Sequence, residues 1–110
     1  MAHILYTIKK RSTFLFIREQ GLFIKGKNFN IQVLHNQNLN GTIGVGYTAT
    51  RKIGNATKRN RAKRIMRELA KKKLIKGKIN SYYVLIAKSS ILLTKFDNLL
   101  IELERIINDN

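Results

Sequence analysis

The stretch Ala56–Leu69, ATKRNRAKRIMREL, holds six Lys or Arg side chains and one acid, Glu68. A helix tolerates such a run only if its residues sort by face, because like charges a turn apart repel. At about 100° per residue, Ala62, Ile65, Met66, Leu69 and Ala70 share one arc of about 140°. Asn60, Arg64, Arg67 and Lys71 fall opposite, flanked by Arg61 and Lys63. Periodicity therefore predicts a long helix over residues 55–73, with one face for a core and one for anions. Asn55 or Thr57 can cap it.

The surplus extends beyond the helix. Arg51, Lys52, Lys58, Arg59, Arg61, Lys63, Arg64, Arg67, Lys71, Lys72 and Lys73 make up eleven of the 22 basic residues of a 110-residue chain with formal charge +16. A solvated helix face normally mixes signs, and this one does not. Self-repulsion of this size disfavours a compact state unless an anion offsets it. A nucleic acid is the natural partner. Arginine suits phosphate, because its planar fork binds bidentately and also stacks on bases. The loop TRKIGNATK before the helix adds backbone N–H groups and Asn55 at its positive end. RNA is preferred to DNA, since no helix-turn-helix with base-reading Asn or Gln stands out.

The rest of the chain reads as one α+β domain over 1–110. With 44% hydrophobic residues the composition is that of a folded domain, too apolar for a disordered basic tail. RSTFLFIREQG predicts a first helix, with Ser12 or Thr13 as cap and Gly21 as a left-handed stop. Its consecutive Phe14, Leu15, Phe16 and Ile17 cannot all lie on one face. In NFNIQVLHN, Phe29, Ile31 and Val33 alternate with Asn30, Gln32 and Leu34, a half-buried strand. NQNLNG is a turn, and TIGVGYTAT a second strand expected to pair with the first as a hairpin. SYYVLIAK is a buried strand. TKFDNLLIELERII is an amphipathic last helix with a core stripe of Phe96, Leu99, Leu100, Leu103, Ile106 and Ile107. Thr94 and Asp97 suggest a capping box at its start. The expected order is a helix–strands–helix–strand–helix sandwich.

Other functions find little support. The six acids, Glu19, Glu68, Asp97, Glu102, Glu104 and Asp109, are scattered, whereas metal-assisted cleavage needs clustered carboxylates. His3 and His35 cannot be placed in one cleft and have no evident partner. No catalytic residue and no protein metal site are expected. The chain has no cysteine, so disulfides and thiolate metal sites are excluded. GVG at 44–46 lacks the third glycine of a dinucleotide loop and lies in a strand, where small residues allow close backbone approach. The helix needs its apolar face for a core, which argues against a membrane surface. No apolar run of about 18 residues exists, and the N-terminus lacks a signal-peptide core. A cytoplasmic location is the expectation.

RKIGNATKRNRAKRIMREL closely resembles the hallmark of the bacterial ribonuclease P protein component family, an RNR helix after a KKIGNAV-like loop. Here the triplet is Arg59, Asn60 and Arg61. IGVGYTATRKIGNA is similar to the strand and loop before that helix. STFLFIREQG, YYVLIAKSS and the closing helix extend the likeness over nearly the whole chain. The resemblance implies a ribosomal protein S5 domain 2-like fold with a left-handed β-α-β crossover, against the usual right-handed rule. It implies a ribonucleoprotein whose catalytic RNA, using Mg2+, removes the 5′ leader of precursor tRNA. The protein then binds that RNA and the leader, with no membrane or protein partner expected. Arg59, Asn60, Arg61, Lys63, Arg64 and Arg67 should face RNA, with Arg51, Lys52 and Asn55 in the matching loop. Lys58 and Lys71, from the same basic stretch, complete the set. A leader cleft is implied between the first helix and the sheet. Phe14 matches an aromatic there, while Arg18 and Gln32 occupy positions that are aromatic in other members. Phe14 is expected to stack on a base, or else to serve as core, and Arg18 to pair with phosphate. The alternative function is a non-enzymatic RNA-binding protein such as a ribosomal protein.

Overall fold

A computed structural model of the chain describes residues 3–110. Positions 1 and 2, part of both the expected domain and the N-terminal segment weighed above, lie outside the described residues. The elements run β1 (Leu5–Thr7), α1 (Arg11–Gln20), β2 (Leu22–Ile24), β3 (Phe29–Leu34), β4 (Ile43–Thr48), α2 (Ala56–Lys73), β5 (Ser81–Ala87) and α3 (Phe96–Asp109). This is an α+β fold in which two short strands, β1 and β2, join the predicted elements. A strand, and not the first helix, comes first.

The sheet order is β1-β4-β5-β3-β2. β4 runs parallel to β1 and to β5, whereas β3 is antiparallel to β5 and to β2. The expected hairpin of 29–34 with 42–50 does not form, because β5 lies between these strands. The cause is visible in the Asn-rich connection. Asn80, just before β5, accepts from Leu39 N and Gly41 N through its Oδ1. Its carbonyl accepts from Gln37 N, and its own N–H donates to Thr42 O. The connection therefore wraps around Asn80 and is held open by the width of a strand. Asn36, Asn40 and Gly41 all take positive φ there, the conformation Asn and Gly tolerate best.

β5 is apolar on both faces and takes the central place that this demands. Tyr83, Leu85 and Ala87 join Phe29, Ile31, Val33, Ile43 and Val45 in the core under α2 and α3. Val84, with Tyr82 and Ile86, faces Ile17 and Phe14 of α1 on the other side. Helices thus cover both faces of the sheet. α2 buries Ala62, Met66, Leu69 and Ala70, and Asn55 Oδ1 caps it by accepting from Lys58 N at 3.0 Å. Ile65 is only half-buried.

Three local expectations are corrected. α1 is preceded by Lys10 in extended backbone with no side-chain cap, so neither Ser12 nor Thr13 caps it. Gly21 has φ −87°, which is not left-handed. Glycine is needed there for space, since a Cβ would lie 2.6 Å from Ile17 O and 2.9 Å from Val33 O. Thr94 does not cap α3 either. Its hydroxyl lies 2.8 Å from Ser90 O and 2.9 Å from Asn28 Oδ1. Asn28 in turn donates Nδ2–H to Glu102 Oε1 at 2.8 Å. Glu102 Oε2 also accepts from Lys27 N and Asn28 N, which fastens the β2–β3 loop to α3. The acids of α3 are therefore partly committed within the fold. Lys73 also pairs with Glu104 at 2.7 Å across α2 and α3. That ammonium holds the Glu104 carboxyl below its usual range.

Candidate nucleic-acid interface

The outward face of α2 carries Asn60, Arg61, Arg64, Arg67 and Lys71, all exposed, with Lys63 half-buried at its flank. Phasing from the sequence placed these correctly, because the apolar arc could be buried only against the sheet. Lys71 has a partner, Glu68, at 3.5 Å on the surface. Such exposed pairs are worth little and yield readily to a phosphate.

Arg59 differs from its neighbours. It is half-buried, and its Nη1 donates to Gly54 O at 2.7 Å. The first arginine of the triplet thus braces the loop that precedes the helix. In that loop Arg51–Ile53 form a 3-10 turn, and Gly54 takes φ 136°. Arg51, Lys52 and Lys58 are exposed beside it. Asn55 is exposed too, but its side-chain oxygen is committed to the cap. Arg67 lies over the Tyr47 ring, 5.6 Å from its centroid, which presets the guanidinium.

The residues named for a cleft come together. Phe14, Arg18 and Gln32 line one depression of about 640 Å³ between α1 and the sheet, with Tyr47, Ile86 and Lys63. Gln32 belongs because the register of β3 turns it toward α1. The glycines of GVG serve aromatic rings, not a neighbouring backbone. A Cβ at Gly46 would lie 2.5 Å from Phe14 Cε1, and one at Gly44 2.8 Å from the Tyr82 ring. Phe14 is half-buried, so its ring is shared between the small core under α1 and the cleft.

Sequence reasoning missed Lys9, Arg11 and Tyr47, which line the same cleft. Arg11 was within reach, since it stands three residues before Phe14 on the stripe that also holds Arg18. Tyr47 was not, because only the strand order brings it there. A second depression, lined by Asn30, Arg51, Lys52 and Lys88, adjoins the cleft at Ile86. Lys88 Nζ donates to Gly26 O at 2.5 Å, so the β2–β3 loop is tied here as well.

His35, expected to lack a partner, has two. Its Nδ1 lies 2.6 Å from Ser81 Oγ and its Nε2 2.8 Å from Asn110 O. It fastens the end of α3 to β5, away from the cleft. Among the described residues no three His, Cys, Asp or Glu come together as a metal site. No described helix is long and apolar enough to cross a membrane.

The tyrosines respond to burial. Desolvation is the main cause that raises Tyr47 and Tyr83, with Arg67 partly offsetting it at Tyr47. Tyr6 is pushed up from 10.0 to about 12, first by burial and then by its hydrogen bond with Tyr82. The folded state therefore keeps Tyr6 neutral at a pH where the unfolded chain ionises it. Folding stability should be unaffected by Tyr6 below pH 10.0 and fall as the pH rises toward about 12. An ultraviolet phenolate titration of Tyr6→Phe should lack the highest step seen in the unsubstituted chain.

Sheet, cleft and basic helix together define a small basic α+β domain with one face complementary to a polyanion. The family model described as Ribonuclease P matches residues 4–109, and the chain belongs to that family. It is 39% identical over 82 residues to the ribonuclease P protein component of Caulobacter vibrioides strain NA1000, covering 74% of this chain and 54% of that protein. The chain thus spans about half the length of that relative. It is 38% identical over 104 residues to the namesake protein of Bartonella quintana, covering 89% of this chain and 77% of the other. Among solved structures, the RNase P protein of Thermotoga maritima superposes with TM-score 0.82 at 20% identity, covering 96% and 97% of the two chains. That of Staphylococcus aureus gives 0.79 at 24%, covering 94% and 93%. At these identities the likeness supports the fold.

Proposed function

We propose that this chain is the RNA-binding protein subunit of a ribonuclease P ribonucleoprotein that removes the 5′ leader of precursor tRNA. In this reading α2 and its loop hold the catalytic RNA through Arg51, Lys52, Lys58, Arg59, Asn60, Arg61, Arg64, Arg67 and Lys71. Asn55 orders the loop. The leader lies in the cleft, where Phe14 stacks on a base, Arg18 meets phosphate and Gln32 offers a hydrogen bond. Mg2+ serves hydrolysis within the RNA, and this reading gives it no site on the protein. The reaction then belongs to the cytoplasm, where tRNA precursors are processed.

One observation carries the reading: Lys63 of α2 lines the same cleft as Phe14, Arg18 and Gln32. A strand in the cleft would therefore touch the helix that holds the catalytic RNA. The test is precursor-tRNA cleavage by a ribonuclease P RNA, with and without this chain, across a magnesium titration. The chain should lower the magnesium needed for half-maximal cleavage. No shift would sink the proposal and favour a non-enzymatic RNA-binding protein. In the same system, Arg61→Ala and Arg64→Ala should each flatten the salt dependence of RNA binding by roughly one unit in log–log slope.

A further inference from the structure

β1 pairs with β4 only from Ile43 to Val45. Ile8 N makes one more bond to Val45 O, and the chain then turns away through Lys9 and Lys10 into α1. Among the described residues no strand lies beside the outer edge of β4 from Gly46 to Thr48. Three depressions meet around this departure. The cleft shares Lys9 with a depression on the α1 side of β1, and Tyr47 with another on the α2 side. The two flanking depressions share Tyr6 and Thr7.

Tyr6 is the aromatic of this region. It remains 40% exposed. Its hydroxyl and the Tyr82 ring converge over Gly44, which must stay small beneath them. A Cβ there would lie 2.9 Å from the Tyr6 hydroxyl and 2.8 Å from the Tyr82 ring. Lys9 and Lys10 stand on one side of Tyr6, and Arg67 and Lys71 on the other. No acid lines either depression; the nearest in pairing terms is Glu68, on Lys71. An accessible ring seated among cations is what a single-stranded nucleic acid needs: a stacking face between phosphate contacts.

We propose that the β1 edge is a second site for single-stranded RNA, continuous with the cleft, in which Tyr6 stacks on a base and Lys9 and Lys10 meet phosphates. The proposal rests on the cleft being the leader site. It extends the bound strand past α1, so a long strand contacts residues that a short one does not reach. Charge decides between possible occupants: a chain of formal charge +16 does not favour a second copy of itself at a cationic edge.

The test is fluorescence anisotropy with labelled single-stranded oligoribonucleotides of about 5 and about 12 nucleotides, lengths within the range of known stacking grooves. Tyr6→Ala should weaken the longer oligomer about tenfold and leave the shorter one unchanged, as expected for loss of one stacked base. Tyr6→Phe should keep the longer oligomer's affinity. Lys10→Gln should reduce the salt slope of the longer oligomer by about 0.7. Thermal unfolding by circular dichroism checks each variant, and Tyr6→Leu, which keeps bulk at the edge, replaces Tyr6→Ala if the latter is unfolded. Wild-type affinity of the Ala or Leu variant for the longer oligomer would overturn the site. Phe14→Ala separates the two claims. If it weakens both oligomers while Tyr6→Ala weakens neither, the cleft stands and the β1 site falls. If Phe14→Ala weakens neither while Tyr6→Ala weakens the longer, the cleft reading falls and takes with it the continuity claimed here, leaving Tyr6 an RNA contact outside any leader path.

Discussion

Leu69→Ala is expected to lower folding stability by about 2–5 kcal/mol. Leu69 is fully buried where α2 meets the sheet and α3, among Met66, Ala70, Leu99 and Leu103. The loss is the transfer energy of the deleted atoms plus the void they leave, since helix and sheet close on it only partly. Against the 5–15 kcal/mol typical of whole domains, that is a large share of the margin. The margin here is further narrowed by self-repulsion, so the variant should be notably less stable in low salt without RNA. Urea unfolding with and without a saturating RNA measures both effects. RNA should recover much of the loss, because a ligand bound only by the folded state stabilises it by mass action. Reduced RNA affinity with unchanged stability would place Leu69 on the wrong face of α2.

The second expectation concerns Gly46. A Cβ at this position would lie 2.5 Å from Phe14 Cε1 and 2.8 Å from Cζ, but 3.4 Å from Val84. The backbone of β4 accepts a β-branched residue well. In Gly46→Val the Phe14 ring must therefore swing, and the strand need not. Stability should change by no more than about 1 kcal/mol, the span of strand propensities. Affinity for a leader oligomer should fall about tenfold or more, if stacking of one base is lost. Phe14→Ala supplies the comparison. A similar affinity loss with stability retained makes Phe14 a contact. A stability loss of about 3 kcal/mol, with full affinity in the molecules that stay folded, makes it core.

How much of this was legible in the sequence depended on the length of each pattern. α2 has enough turns for its apolar arc to be unambiguous, and Asn55 marked its start correctly. β3 showed its alternation over six residues, Phe29–Leu34. β1 and β2 have three residues each, too few for any period to stand out. The hairpin was misjudged because successive strands usually pair, and nothing local shows that Asn80 holds the connection open for another strand. Gly21 and Gly46 were misread for one reason: each is small on account of a distant neighbour, Val33 O or the Phe14 ring. His35 and Thr94 found partners far away in the chain, Ser81 and Asn28. The cleft was legible only through family likeness. Its Phe14, Arg18 and Gln32 come from two elements that the strand order alone brings together.

The central position of β5 also fixes an order of events as the chain is made. Before Ser81–Ala87 has emerged, β1 can pair only with β4, and β2 only with β3. Nothing joins the two halves of the sheet until β5 arrives to bond with both β3 and β4. α2 is complete by then, with its cations exposed and no sheet to bury its apolar arc. A chain truncated near residue 80 would thus offer charge to a polyanion without the cleft that Val84 and Ile86 of β5 complete.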